Sequence, residues 1–341
     1  MITATTAVSK VAAIRKTPAD ILPKMATGVE QRRALEELDF RIKAMLPEEY
    51  QDSYDDVQPV SMGSAGLKYG LDGLVAWNEI WGSFCDLAMA GGPPHKGKLL
   101  EPASRAEIAA HAGRYTEVTD EICRGIEMVT QLPAEAAPEV SQHIGWVRVD
   151  CLSAPMAGWL ARAIVMENVS ARCDGNWLYL PAGPGFRLEK EIKNVVTVIA
   201  KTCHFWVGHM PRTQQRAIAA LFARIAAEET PLVEPAVAHP LLEETASLRH
   251  QAVLGSMAEA IARLTGLRAS AHRYAGWLGL ELSAVRPAIW MMRALVVSNV
   301  LSRREGTVLF VPVDPVHDPT GEVVAGAVAR VHALAVAAAV L

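Results

Sequence analysis

The sequence predicts an α+β fold built by tandem duplication of one α-β-α-β-β-α module, preceded by a mostly helical N-terminal extension. Three observations carry this prediction. Slid by 131 residues, Gly145-Trp146 falls on Gly276-Trp277, and 14 of the 40 positions from 145 to 184 are identical without a gap. Within each copy the apolar pattern alternates between a helical period and a two-residue strand period. Asp174-Gly175 and Glu305-Gly306 stand between short apolar runs at equivalent places, as hairpin turns require.

In chain order, Glu30 to Leu46 reads as an amphipathic helix, with Leu35, Leu38, Ile42 and Met45 at helical spacing. Short strands are expected around 57–70. A second helix is expected over Leu74 to Ala90, ended by Gly91-Gly92 and two prolines. Module one opens with a helix (Ala106 to Gln131), then a strand at Trp146 to Cys151, where polar and apolar residues alternate. A helix over 155–168 follows, with Met156, Trp159, Leu160 and Ala163 inward. The hairpin pairs Ser170–Cys173 with Trp177–Leu180, and a last helix starts near Leu188. Upstream, Leu99-Leu100-Glu101 and Ser104 match Leu241-Leu242-Glu243 and Ser247. This order contains the split β-α-β of a ferredoxin-like unit, and two such units are expected to pack through their sheets about a pseudo-twofold axis. The resulting division is 1–98 for the N-terminal region, 99–211 for module one, 212–239 for a linking helix and a proline-punctuated join, and 240–341 for module two. Ile218, Leu221, Phe222 and Ile225 form the inward face of the linking helix.

Hydrophobic residues make up 51% and charged residues 21% of the 341, and the formal net charge is −4, with acids and bases interspersed. Such a chain forms a sizeable core and has no global field to attract nucleic acid, so any anion site must be a local cluster. Five widely spaced cysteines without a Cys-x-x-Cys pair argue against a disulfide framework and a zinc site, and suggest reduced thiols in the cytoplasm. Arg330 and His332 interrupt the apolar C-terminal stretch, leaving too short a run for a bilayer. A buried helix or a homodimer contact is expected there, and no membrane partner.

The sharpest functional signal comes from comparing the copies. The last helix of module one carries Lys190, Asn194, Thr197, Lys201 and His204 at steps of four and three, which keeps them on one helical face. Module two has Gly321, Ala325, Val328, His332 and Ala335 in their places. Lysines can hold a phosphate or carboxylate, Asn and Thr can orient it, and histidine can move a proton near neutral pH. Glu189 and Glu191 beside the stripe could instead pair with its lysines. A second candidate is the loop Gly91-Gly92-Pro93-Pro94-His95-Lys96-Gly97-Lys98, a stiff segment suited to a lid or anion clamp but matching no phosphate-binding fingerprint. His204 and His209, five apart across a helix end, read as a poor metal pair without a third ligand. Arg162, Arg293, Asn168 and Asn299 survive in both copies and are assigned to the fold. So is Cys85, on an apolar face with Trp77, Trp81 and Phe84.

The leading expectation is a protein that binds a small anionic metabolite, an enzyme using acid/base chemistry in module one. Its catalytic candidates are His204 and His95, and its binding candidates are Lys190, Asn194, Thr197, Lys201, Lys96 and Lys98. A non-catalytic pseudo-symmetric scaffold or regulatory oligomer is the alternative from another class. A metal or tetrapyrrole against His204 is a third, by analogy of fold. No cofactor is named by the sequence.

Overall fold

The computed structural model of the chain describes residues 28–52, 66–80, 86–138, 144–228, 230–235, 248–272 and 274–341. The protein is α+β, with two four-stranded antiparallel sheets. Module one comprises α2 (Arg105–Ala110), α3 (Ala112–Thr130), β1 (Ala134–Ala136), β2 (Trp146–Asp150), α4 (Ala154–Met166), β3 (Arg172–Asp174), β4 (Trp177–Pro181) and α5 (Lys193–His204). A π-helical turn stands at each end of α5, at Leu188–Ile192 and Phe205–His209. Module two comprises α7 (Leu248–Thr265), β5 (Arg268–Ala269), β6 (Trp277–Glu281), α8 (Val285–Val296), β7 (Arg303–Glu305), β8 (Val308–Pro312) and α9 (Glu322–Ala337). Before and between them lie α1 (Gly28–Met45) and α6 (Arg212–Glu228).

The sheets have the orders β1-β2-β4-β3 and β5-β6-β8-β7. Because neighbours are antiparallel, β2 and β3 run in the same sense with β4 between them. The 131-residue shift carries β2, β3 and β4 onto β6, β7 and β8 residue for residue. Both hairpins form, but the two-residue loops are Gly175-Asn176 and Gly306-Thr307, one position later than the sequence turn signal. Only the first residue of each loop has a positive φ, +57° in both, which fits a II′ turn and explains the glycine.

Other elements depart from expectation. The helix expected over 106–131 breaks at His111 (φ −138°, ψ 42°) into α2 and α3, with Ser104 and Glu107 forming a capping box at the start of α2. The stretch from Leu74 to Ala90 is not one helix. It bridges Tyr69 to Val75, then makes 3-10 turns at Trp77–Glu79 and Ala88–Ala90. Val75, Trp77, Ile80 and Leu87 through Ala90 are all buried, so tertiary burial on several sides imitated a helical stripe. Residues 81–85, and so the expected role of Cys85, lie outside the described residues, as do 53–65 and 236–247.

The modules are locked together by their shared residues. Asn168 and Asn299 follow α4 and α8 in the left-handed region, with φ +62° and +58°. Each ends its helix in a Schellman pattern, through Val169 N–H to Ile164 O and Val300 N–H to Leu295 O. Their side chains then reach across. Asn168 Oδ1 accepts from Arg303, its Nδ2 donates to Arg304 O, and Asn299 Oδ1 accepts from Arg162 at 2.7 Å. The backbone repeats too. Leu100 bridges Val169 in parallel, and Val233 bridges Val300 in the same way. The partner of Leu99-Leu100-Glu101 in space is thus Leu232-Val233-Glu234, inside the segment read as a join. The apolar side of α9 packs on α7, α8 and α1. Ala325, Val328 and Ala335, which replace three polar positions of module one, are buried there.

Candidate functional site

The polar stripe of the last helix of module one does not line one pocket. Its ends are exposed and its middle is covered, because residues 86–96 lie across α5. Lys190 stands exposed on the first π-helical turn. Its acidic neighbours are engaged elsewhere: Glu191 pairs with Arg187, and Glu189 accepts from Tyr69. Thr197 is buried and donates to Lys193 O at 2.6 Å, a bond within its own helix. Lys201 has no exposed side-chain surface, and its Nζ lies 2.7 Å from Glu167 Oε1, itself fully buried.

Glu167 organises the covering segment. It follows α4, and its Oε1 also accepts from Ala88 N–H while Oε2 accepts from His95 N–H, each at 2.8 Å. Its carbonyl accepts from Lys96 N–H, and Asn168 Nδ2 donates to Lys96 O. Asp86 O accepts from Lys201, and Asp86 Oδ1 from Tyr50 Oη at 2.6 Å. From the other side, Arg293 donates to Met89 O at 2.6 Å and Arg304 to Gly92 O at 3.1 Å. Gly92 permits the tight fold-back, since a Cβ there would sit 2.5 Å from Asp86 O. The segment read as a lid is therefore a strap held by both modules. A lone buried Lys or Glu would leave a strongly unfavourable charge, so each requires the other.

His95 is partly exposed as a residue, but its ring Nε2 is shut off from solvent without a hydrogen-bond partner. Burial, aided by the charges of Lys201, Lys96 and Lys193, pushes its pKa down to about 3, against a hydrogen bond that the ring donates to the half-buried Asn194 side chain. It is neutral near pH 7. Lys96 is half-buried and Lys98 exposed. The structure thus brings His95, Asn194 and Lys201 together and leaves Lys190, Lys98 and His204 apart from them.

His204 belongs to a different cluster. It is exposed, and its Nε2 lies 3.1 Å from His209 Nε2. His209 Nδ1 lies 2.8 Å from a Glu49 carboxylate oxygen. Burial and the neighbouring His209 lower the His204 pKa, partly opposed by Glu49. Five residues apart on an α-helix would diverge, but the π-helical turn Phe205–His209 brings residue i over i+5. Among the described residues, no group of three His, Cys, Asp or Glu side chains is placed to hold a metal. The thiols of Cys123 and Cys203 are pushed up to about 12 and 11 by burial, which keeps them protonated. An open cleft of ≈ 440 Å³ lies elsewhere, between α1 and α6, lined by Arg33, Glu36, Glu37, Arg41 and Arg224.

No protein-family model, curated protein or solved structure matches this chain.

Sequence reasoning missed Glu167 and Glu49. A signal for Glu167 was present: the same shift that turns Lys201 into His332 turns Glu167 into Ser298, so both partners of the buried pair change together. No comparable signal marks Glu49, which is distant in sequence from the histidine it meets.

Proposed function

We propose that this chain is a non-catalytic, pseudo-symmetric binding scaffold made of two permuted ferredoxin-like units. In each unit β2-α4-β3, or β6-α8-β7, is a split β-α-β with the remaining strand inserted, and the edge strand β1 or β5 enters first instead of last. The observation that carries the reading is the Lys201–Glu167 pair at zero side-chain exposure. It supports a structural role for the residue most suited to hold an anion, because its charge is consumed in fastening the strap.

The test is a double-mutant cycle with Lys201→Met and Glu167→Gln, read by urea unfolding. Breaking a buried pair from one side costs about 3–5 kcal/mol, and the cycle should show coupling. Lys190→Ala should stay within about 0.5 kcal/mol of wild type. A Lys201→Met protein of unchanged stability that loses stabilisation by phosphate or citrate would overturn the scaffold reading in favour of an anion site on α5.

The cleft between α1 and α6 favours a second reading, in which a small anionic molecule binds there. Three guanidinium groups line it, and its ≈ 440 Å³ suits a small metabolite. Glu37 already takes Arg41 at 2.8 Å and Arg224 at 2.6 Å, so a ligand would have to share those cations. Thermal stabilisation by citrate that disappears in Arg33→Ala would support this reading, and no stabilisation would refute it.

A further inference from the structure

The histidine pair at the end of α5 lies apart from the strap. The Nε2 atoms are 3.1 Å apart and the ring centroids 4.8 Å apart, with the planes at 67°. A straight Nε2–H···Nε2 bond of that length would hold the centroids roughly 5.4 Å apart. The rings are therefore tilted off the line joining the two nitrogens. An ion about 2.05 Å from each Nε2 would subtend roughly 98° between them and set the centroids roughly 4.8 Å apart. That placement, fixed by the nitrogen separation, reproduces the observed centroid separation.

The surroundings fit the same assignment. Glu49 lies 2.8 Å from His209 Nδ1, so in the neutral ring this nitrogen donates to the carboxylate and Nε2 keeps its lone pair for a ligand bond. A carboxylate behind a ligating imidazole fixes the tautomer and orients the ring. The π-helical turn is the local device that places the two histidines over each other, and such turns often accompany function. Phe205 packs against the His209 ring, with centroids 5.0 Å apart, and against Tyr50 at 6.0 Å, which limits the ring's freedom to rotate away.

We infer that His204 and His209 form a two-imidazole site for a divalent transition-metal ion, with Glu49 as the positioning residue behind His209. Two neutral nitrogen ligands select ions of the zinc, nickel and copper type over magnesium or calcium, which require oxygen. With two protein ligands the remaining coordination positions are open to water or to a further ligand. In the second copy the position of His204 is Ala335, so the site belongs to module one alone.

The experiment uses the full, tag-free chain, with zinc chloride titrated in a calorimeter and copper(II) bound for electron paramagnetic resonance. Wild type should bind one zinc ion, and the copper spectrum should carry hyperfine structure from two nitrogens. Either His204→Ala or His209→Ala should abolish binding at the same zinc concentrations. Glu49→Gln should weaken it about 10–100-fold, as loss of a carboxylate behind a ligand does. His317→Ala, at an exposed histidine paired with Asp314, should leave it unchanged. Circular dichroism melts establish that each variant is folded. Absence of zinc binding by wild type overturns the assignment, as does binding that survives both single histidine variants, and magnesium competing equally with zinc does so too.

Discussion

Glu234 gives the sharpest quantitative prediction, because its environment pulls its ionisation in opposite directions. It is 8% exposed and stands near Arg172 and Arg162, yet burial outweighs both cations and pushes its pKa up from 4.5 to about 7. A carboxyl raised in the folded state binds a proton that the unfolded chain has released. Its contribution to stability is therefore fully present below pH 4.5 and is lost as the pH rises through about 7. At 1.36 kcal/mol per pKa unit, the whole effect is about 3 kcal/mol, of which about 2.5 kcal/mol falls between pH 5 and pH 8. Glu234→Gln keeps the shape and removes the titration. Other groups move over the same range; His95 acts in the opposite sense, so wild type alone gives no clean slope. The quantity to measure is the difference in unfolding free energy between Glu234→Gln and wild type, by urea denaturation at pH 5 and pH 8. The variant should gain about 2.5 kcal/mol on wild type between those two pH values. A difference that stays constant with pH would show that Glu234 remains ionised in the folded protein, and would refute the claim that burial dominates its two arginines.

Three further outcomes follow from the geometry. His95, with its pKa lowered to about 3, contributes stability that is present above pH 6.5 and lost as the pH falls toward 3. His95→Leu should therefore gain about 2 kcal/mol on wild type between pH 7 and pH 5 in the same urea assay; parallel pH profiles would show that the ring protonates freely. Gly92→Ala places a Cβ 2.5 Å from Asp86 O and should lower the thermal midpoint by several degrees, whereas Gly97→Ala, with open space around its Cβ, should not. Asn168→Ala removes bonds to Arg303, Arg304 O and Lys96 O and puts a less suited residue at φ +62°, so a loss of about 2–3 kcal/mol is expected by chemical denaturation. An unchanged midpoint for Asn168→Ala would mean that the modules do not depend on this contact.

The parts of the fold legible in the sequence were those in which a local pattern and a repeated pattern agreed. The strands of both hairpins and α4 could be placed because the same 131-residue shift aligned glycine turns, alternating runs and helix ends at once. Where only one cue existed, burial could imitate it. The expected helix over Leu74 to Ala90 rested on apolar spacing alone, whereas Val75, Trp77 and Leu87 are buried along a path of 3-10 turns, with Trp77 donating to Glu121 at 2.9 Å. The candidate site was legible to the same extent. Comparison of the copies singled out α5, whose middle differs between them in charge. It could not tell a ligand-holding lysine from a buried one, because that depends on Glu167, 34 positions earlier, and on a segment read as a stiff lid or anion clamp. The same comparison applied to pairs would have been more discriminating. A polar residue lost alone points to a lost surface or a lost site, whereas Lys201 and Glu167 lost together point to a buried contact that became unnecessary. His204 belongs to neither case: its ring meets His209 and, through it, Glu49, a contact separate from the strap. It is there, rather than at the buried Lys201, that chemistry on this helix is best sought.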